Sequence, residues 1–151
     1  MTSLNQRISI IEYKESNPVI FKAVNSGNGT FTYSLNDYII FNSLVFSYPN
    51  SSSYNTTNST YIVPVSGIYQ FSYRLFVSST PSTSSKIGLL KNGVTIAITG
   101  NVSANIESLT TLESCNVGDV IRVRCLTGTG LTFWMNPEHC SFSGHLIREI
   151  S

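Results

Sequence analysis

Between residues 69 and 77, Tyr69, Phe71, Tyr73, Leu75 and Val77 are apolar, while Gln70, Ser72 and Arg74 between them are polar, with Phe76 the one exception. A period of two puts alternate side chains on opposite faces of a pleated strand, so this stretch predicts a strand with one dry face. Val94, Ile96 and Ile98 alternate with Thr95, Ala97 and Thr99 in the same way, directly after Asn92-Gly93. Both residues of that dipeptide accept the positive φ of a type I′ turn, which predicts a hairpin. Ile121, Val123 and Cys125 are expected inward, with Arg122 and Arg124 outward, after a turn at Gly118-Asp119. A last strand sets Cys140, Phe142, Gly144 and Leu146 on one face and His139, Ser141, Ser143 and His145 on the other.

Turn-forming clusters at Pro49 to Ser53, Ser78 to Ser85 and Thr127 to Gly130 separate these runs, and no helical period occurs from Val19 onward. Roughly eight to ten short strands without intervening helices predict an all-β sandwich or barrel of antiparallel strands. Ahead of them, Leu4, Ile8 and Ile11 would form one seam of a coiled coil before Asn17-Pro18 stops any helix. About one and a half heptads cannot hold such a coil alone. Residues 1–17 are therefore read as an N-terminal arm or the end of a longer stalk, and 18–151 as one head domain.

Composition narrows the partners. Only 11% of the 151 residues are charged, against about 25% in an ordinary soluble domain, so Ser, Thr and Asn must supply the polar surface. The net charge of +1 includes no basic run, which argues against nucleic acid. No apolar run approaches the ~20 residues of a membrane span, so membrane insertion is not expected. Residues Met1 to Ser9 lack the apolar centre of a signal peptide. That suits either an excised piece with an added Met or a protein that reaches a surface without classical secretion, as a virion protein does.

Catalytic chemistry is poorly supplied. The titratable set of His139, His145, Asp37, Asp119 and six glutamates carries no nucleophile-elbow motif. Two histidines six residues apart on one strand stand some ~20 Å from each other, too far to share a metal. Asp119 is expected to hydrogen-bond its own turn rather than to join a calcium cage. No enzyme activity, metal or cofactor is expected. Cys115, Cys125 and Cys140 are odd in number and lack a C-x-x-C pair, so they read as buried free thiols, with Cys115 the most accessible beside the Asn116-Val117-Gly118 turn. Asn28, Asn50, Asn55, Asn58 and Asn101 open N-x-S/T sequons, which matter only on a secretory route.

The stretch from Tyr54 to Tyr73 resembles the signature of the C1q globular-head family in the C1q/tumour-necrosis-factor superfamily: a strand leads into Pro64, Gly67, Tyr69 and Phe71 as Pro-x-x-Gly-x-Tyr-x-Phe. Lys91-Asn92-Gly93-Val94 resembles the family's central hairpin, and Ser141-Phe142-Ser143-Gly144-His145-Leu146-Ile147 its closing strand. Residues Val19 to Ser26, Ile40 to Asn42 and Val117-Gly118-Asp119 resemble further strands and a turn, so the likeness spans about residues 18 to 148. It implies a jelly-roll β-sandwich assembled as a homotrimer, with Pro64, Gly67, Tyr69, Phe71, Asn92, Gly93, Phe142 and Gly144 carrying the fold. Some members pair a cysteine at the position of Val63 with one at that of Cys125; Val63 puts that disulfide in doubt. Gly67 is expected to avoid a Cβ clash or a positive-φ penalty at a sharp return, and Pro64 to sit where a ladder donor can be spared.

Tyr69, Tyr73, Phe133, Trp134 and His145 are the candidate trimer or ligand contacts, the two tyrosine hydroxyls needing partners that a neighbouring protomer can supply. The expected function is a non-enzymatic, trimeric recognition or surface-display head, extracellular or on a virion, with the tip of a viral or microbial fibre as one setting. Its partners are other copies of itself and an unknown receptor protein or glycan. A secreted innate-immune or cytokine-like ligand is the alternative on the same fold. A jelly-roll hydrolase is the alternative of another class, and it would require a pocket gathering His139 or His145 with carboxylates.

Overall fold

The computed structural model describes residues 3–8, 18–79, 86–100, 106–127 and 131–150. Twelve strands follow in chain order: β1 (Ile20–Val24), β2 (Gly29–Tyr33), β3 (Ser43–Tyr48), β4 (Tyr54–Asn55), β5 (Thr60–Ile62), β6 (Gly67–Ser79), β7 (Lys86–Lys91), β8 (Val94–Thr99), β9 (Ile106–Cys115), β10 (Val120–Thr127), β11 (Leu131–Met135) and β12 (Ser141–Glu149). A seven-stranded sheet runs β2-β11-β6-β12-β1-β3, with β9 also paired to β6, and a five-stranded sheet runs β4-β5-β10-β7-β8. Every pairing is antiparallel. The predicted all-β sandwich is what forms.

Alternation in β6 builds the core as predicted. Tyr69, Phe71, Tyr73, Leu75 and Val77 are all buried, and Ile121, Val123 and Cys125 of β10 meet them from the other sheet. Between the layers Phe21 stacks on Tyr61 with centroids 4.0 Å apart, and Phe142 meets Phe21 edge-on at 4.9 Å. Each fully buried side chain of this size contributes about 1.5–3 kcal/mol. Two glycines are set by close approach. A Cβ on Gly67 would lie 2.3 Å from the Arg148 carbonyl oxygen, and one on Gly144 2.6 Å from the Phe71 ring. For Gly67 the reason is therefore the Cβ clash across the β6–β12 pair rather than a positive φ.

The β7–β8 hairpin turns on Asn92 and Gly93 at φ 52° and 79°, as a type I′ turn requires. It locks onto the turn before β10. Asn92 Nδ2 donates to Asp119 Oδ1 at 2.9 Å, the Val120 N–H donates to Asn92 Oδ1 at 2.9 Å, and the Asn116 N–H donates to Asp119 Oδ2 at 2.8 Å. The hydrogen bonds from Asn92 and then Asn116 hold the Asp119 carboxyl below its usual pKa.

The expected dry face of β8 does not form. Val94 and Ile98 are 66% and 51% exposed, while Ile96 and Ala97 are both partly buried. β8 is an edge strand, and a register shift between Leu89 and Leu90 of its one neighbour breaks the alternation. Residues 4–8 are helical, closed by reciprocal bonds in which the Gln6 N–H donates to Ser3 Oγ at 3.3 Å and the Ser3 N–H donates to Gln6 Oε1 at 3.0 Å. Leu4 and Ile8 are exposed there. Ile11, Asn17, the sequon at Asn101 and the turn segments 80–85 and 128–130 lie outside the described residues.

Candidate partner-binding face

Three of the five candidate contacts turn inward. Tyr69, Tyr73 and Phe133 are at most 1% exposed within a single copy of the chain, so they cannot meet a partner directly. Their phase in β6 and β11 points them into the sandwich, and their polar ends are satisfied locally. Tyr69 Oη donates to the Val65 carbonyl at 2.7 Å, and Tyr73 Oη reaches the Ile87 carbonyl at 3.2 Å and the Thr99 hydroxyl. No neighbouring protomer is needed for either hydroxyl. Phe133 packs edge-on against Tyr33 at 5.5 Å.

His145 and Trp134 stay at the surface. His145 lies on the outward face of the larger sheet, where strand registers align five residues in one row: Tyr48 of β3, Ile20 of β1, His145 of β12, Gln70 of β6 and Leu112 of β9. The adjacent row reads Phe46, Lys22, Ser143, Ser72 and Thr110. Ten positions thus carry a single lysine. The margins are apolar: Tyr48 is 54% exposed and stacks near Phe46 at 6.3 Å, and Leu112 is 62% exposed. Sparse charge with apolar and aromatic groups is the make-up of an interface core. Trp134 is 43% exposed on β11, two residues beyond Thr132 of the hydroxyl pair Thr32–Thr132 at 2.8 Å.

Close to β2 a cleft of about 320 Å³ is lined by Asn25, Asn28, Phe31, Tyr33, Asn42 and Met135, among others. Asn25 is already committed, donating to the Ile40 carbonyl at 2.9 Å and accepting from the Gly27 N–H at 2.8 Å. Tyr33 accepts from the Ile40 N–H, and burial pushes its hydroxyl up to about 12, so it offers no acid or base near neutral pH. His139 is likewise occupied: Nδ1 lies 2.7 Å from Asn136 Oδ1, and the ring packs on Phe76. Among the described residues no group of three or more His, Cys, Asp or Glu side chains is placed to hold a metal.

All three cysteines are free and buried, and Cys115, at 3% exposure against 1% for Cys125 and Cys140, is the most accessible of them by only that margin. The neighbouring turn exposes residues 116–118, but Cys115 ends β9 opposite Gly67 and faces the core. Burial pushes the Cys115 thiol up to about 11 and the Cys125 thiol up to about 12. Val63 is buried beside the same core cluster without a disulfide partner for Cys125.

Alternation could not reveal the row from Tyr48 to Leu112, because it depends on the registers of five strands distant in sequence. Nor did it reveal the stack of Arg122 on Tyr38, with the guanidinium carbon 3.3 Å from the ring centroid. The outward phase of Arg122 and Arg124 was the available signal.

A family model described as C1q domain matches residues 14–147. No curated protein sequence matches the chain. Among solved structures, the Eiger TNF of S. frugiperda superposes with a TM-score of 0.68 at 12% identity, covering 89% of this chain and 96% of that one. The globular domain of zebrafish complement 1qA gives 0.64 at 16% identity, covering 87% and 99%, and murine APRIL gives 0.62 at 14%, covering 86% and 99%. These structures share the jelly-roll fold with this chain.

Proposed function

The chain belongs to the C1q domain family, and on that premise we propose that it is a recognition and display head that acts as a homotrimer and binds a receptor protein or glycan. Domains of this family are generally non-enzymatic binding modules, typically extracellular. The observation that carries the reading is the outward face of the larger sheet, where Tyr48 and Leu112 bound a row holding no charged residue. In a cyclic trimer the contact is head-to-tail, so two different margins must fit each other. An aromatic margin at Phe46 and Tyr48 and an aliphatic one at Leu112 supply two such surfaces. The helical turn with exposed Leu4 and Ile8 fits the end of a stalk above or below the trimer, and display on a fibre or virion suits the low-charge, Ser/Thr/Asn-rich surface.

Trp134 is then the recognition contact that the assembly leaves free. The test is a screen of the intact head against immobilised glycans and cell-surface proteins, with wild type and Trp134→Ala in parallel. A bound partner whose affinity falls about tenfold or more in the variant, with its sedimentation unchanged, supports the assignment. A partner held equally by both proteins removes Trp134 from the site.

A further inference from the structure

Arg122 and Arg124 stand two residues apart on the outward face of β10, in the smaller sheet and away from the face described above. Segment 36–39 runs beside them through a single antiparallel bridge: the Ile39 N–H donates to the Val123 carbonyl and the Cys125 N–H to the Asp37 carbonyl, each at 2.9 Å. This brings Tyr38 opposite Arg124. The Arg122 guanidinium carbon lies 3.3 Å from the Tyr38 ring centroid and that of Arg124 5.7 Å from it. Both side chains are half-buried.

No described carboxylate lies within ion-pair distance of either guanidinium; the ion pair near this sheet joins Lys91 and Glu113 at 3.7 Å. Burial lowers the Arg122 pKa from its usual value, and a hydrogen bond with Tyr38 works against that. The Nε atoms of both arginines are closed off from solvent and have no acceptor. Arg122 is further fixed by an Nη2 bond to the Asn58 carbonyl at 2.7 Å. Two partly desolvated cations with no carboxylate beside them among the described residues are costly. Guanidinium outer edges present paired N–H groups that match an oxyanion.

We propose that Arg122, Arg124 and Tyr38 form a binding site for an oxyanion, a sulfate, phosphate or carboxylate group, carried on the partner of this head. The ring fixes the two guanidiniums, and Nη donors other than the Arg122 Nη2 spent on the Asn58 carbonyl are offered to the ligand. The inference extends the reading of the chain as a binding head, but the site is complete within one protomer and does not depend on the trimer.

The test is titration of the intact protein, at constant ionic strength, with sodium sulfate, sodium phosphate, a sulfated oligosaccharide and a sialylated trisaccharide, read by calorimetry. Wild type is compared with Arg124→Gln, Arg124→Lys and the double variant Arg122→Gln/Arg124→Gln. Binding of at least one anion is expected, about tenfold weaker or more in Arg124→Gln. Arg124→Lys should recover only part of it, since an ammonium keeps the charge and loses the fork. Preference for the sulfated or the sialylated sugar over the free ions identifies a glycan-borne group; equal binding of free ions identifies a free sulfate or phosphate. Arg124→Gln leaves Arg122 stacked on Tyr38 and decides the matter if the double variant fails to fold. Absence of binding to all four anions, or equal binding by Arg124→Gln, overturns the proposal. Sedimentation of the same variants separates this outcome from failure of the trimer, which uses the other sheet.

Discussion

Tyr48 and Leu112 stand at opposite ends of one row that crosses five strands through Ile20, His145 and Gln70. Four strand intervals separate them, some ~19 Å across the sheet. Both are more than half exposed on a single copy. A head-to-tail contact that joins one end of the row to the other end on a neighbour covers both at once. Leu112→Glu should therefore shift the trimer towards folded monomer, raising the dissociation constant by about tenfold or more while the circular dichroism spectrum stays that of the wild type. An unchanged association state in Leu112→Glu would remove this margin from the interface.

Gly67 and Gly144 test the packing of β12. Gly144→Ala forces a methyl group against Phe71 and Phe21 and should cost about 1–3 kcal/mol in chemical denaturation, as overpacking does. Gly67→Val drives a branched side chain into the Arg148 carbonyl, backbone that cannot rotate away, and should give insoluble protein. A soluble, cooperative Gly67→Val would mean that β6 and β12 can part without loss of the fold.

The β6 alternation and the Asn92-Gly93 turn were legible because each is decided locally, by a face or by a φ angle. The β8 face was not, since the register shift that leaves Ile96 unpaired against β7 puts both Ile96 and Ala97 partly inward. Tyr69 and Phe133 were placed in the right strands but offered to a partner, because an aromatic of the dry phase looks the same whether its own sheet or another chain covers it. Tyr38 and Arg122 are brought together by an isolated bridge at Tyr38 and Arg124, across more than eighty residues, which no periodicity encodes.

The buried thiols should be slow to alkylate. Raised pKa values at Cys115 and Cys125 leave little thiolate at pH 8, and access is closed as well. Native protein should react at none of its three cysteines on the timescale on which a model thiol is consumed, and at all three once unfolded without reductant. Mass spectrometry counts the labels; a single rapid adduct on native protein, or fewer than three after unfolding, would contradict the burial or the free state.

Asp119 makes the hairpin lock sensitive to acid. Its folded pKa lies below the ordinary value of 3.8, so its stabilising contribution is full above the unfolded pKa and is lost as pH falls through the folded one. Asp119→Asn should flatten the part of the melting-temperature profile below about pH 4. Parallel wild-type and variant profiles across that range would show that the Asn92 bond contributes nothing that depends on charge.

The central claim, assembly through the Tyr48–Leu112 face, is tested most directly by sedimentation equilibrium of the wild-type chain at micromolar concentration. The 16.6 kDa chain is predicted to sediment as a single species of three times the protomer mass, with no concentration dependence across the micromolar range. A stable species at the protomer mass would contradict the account.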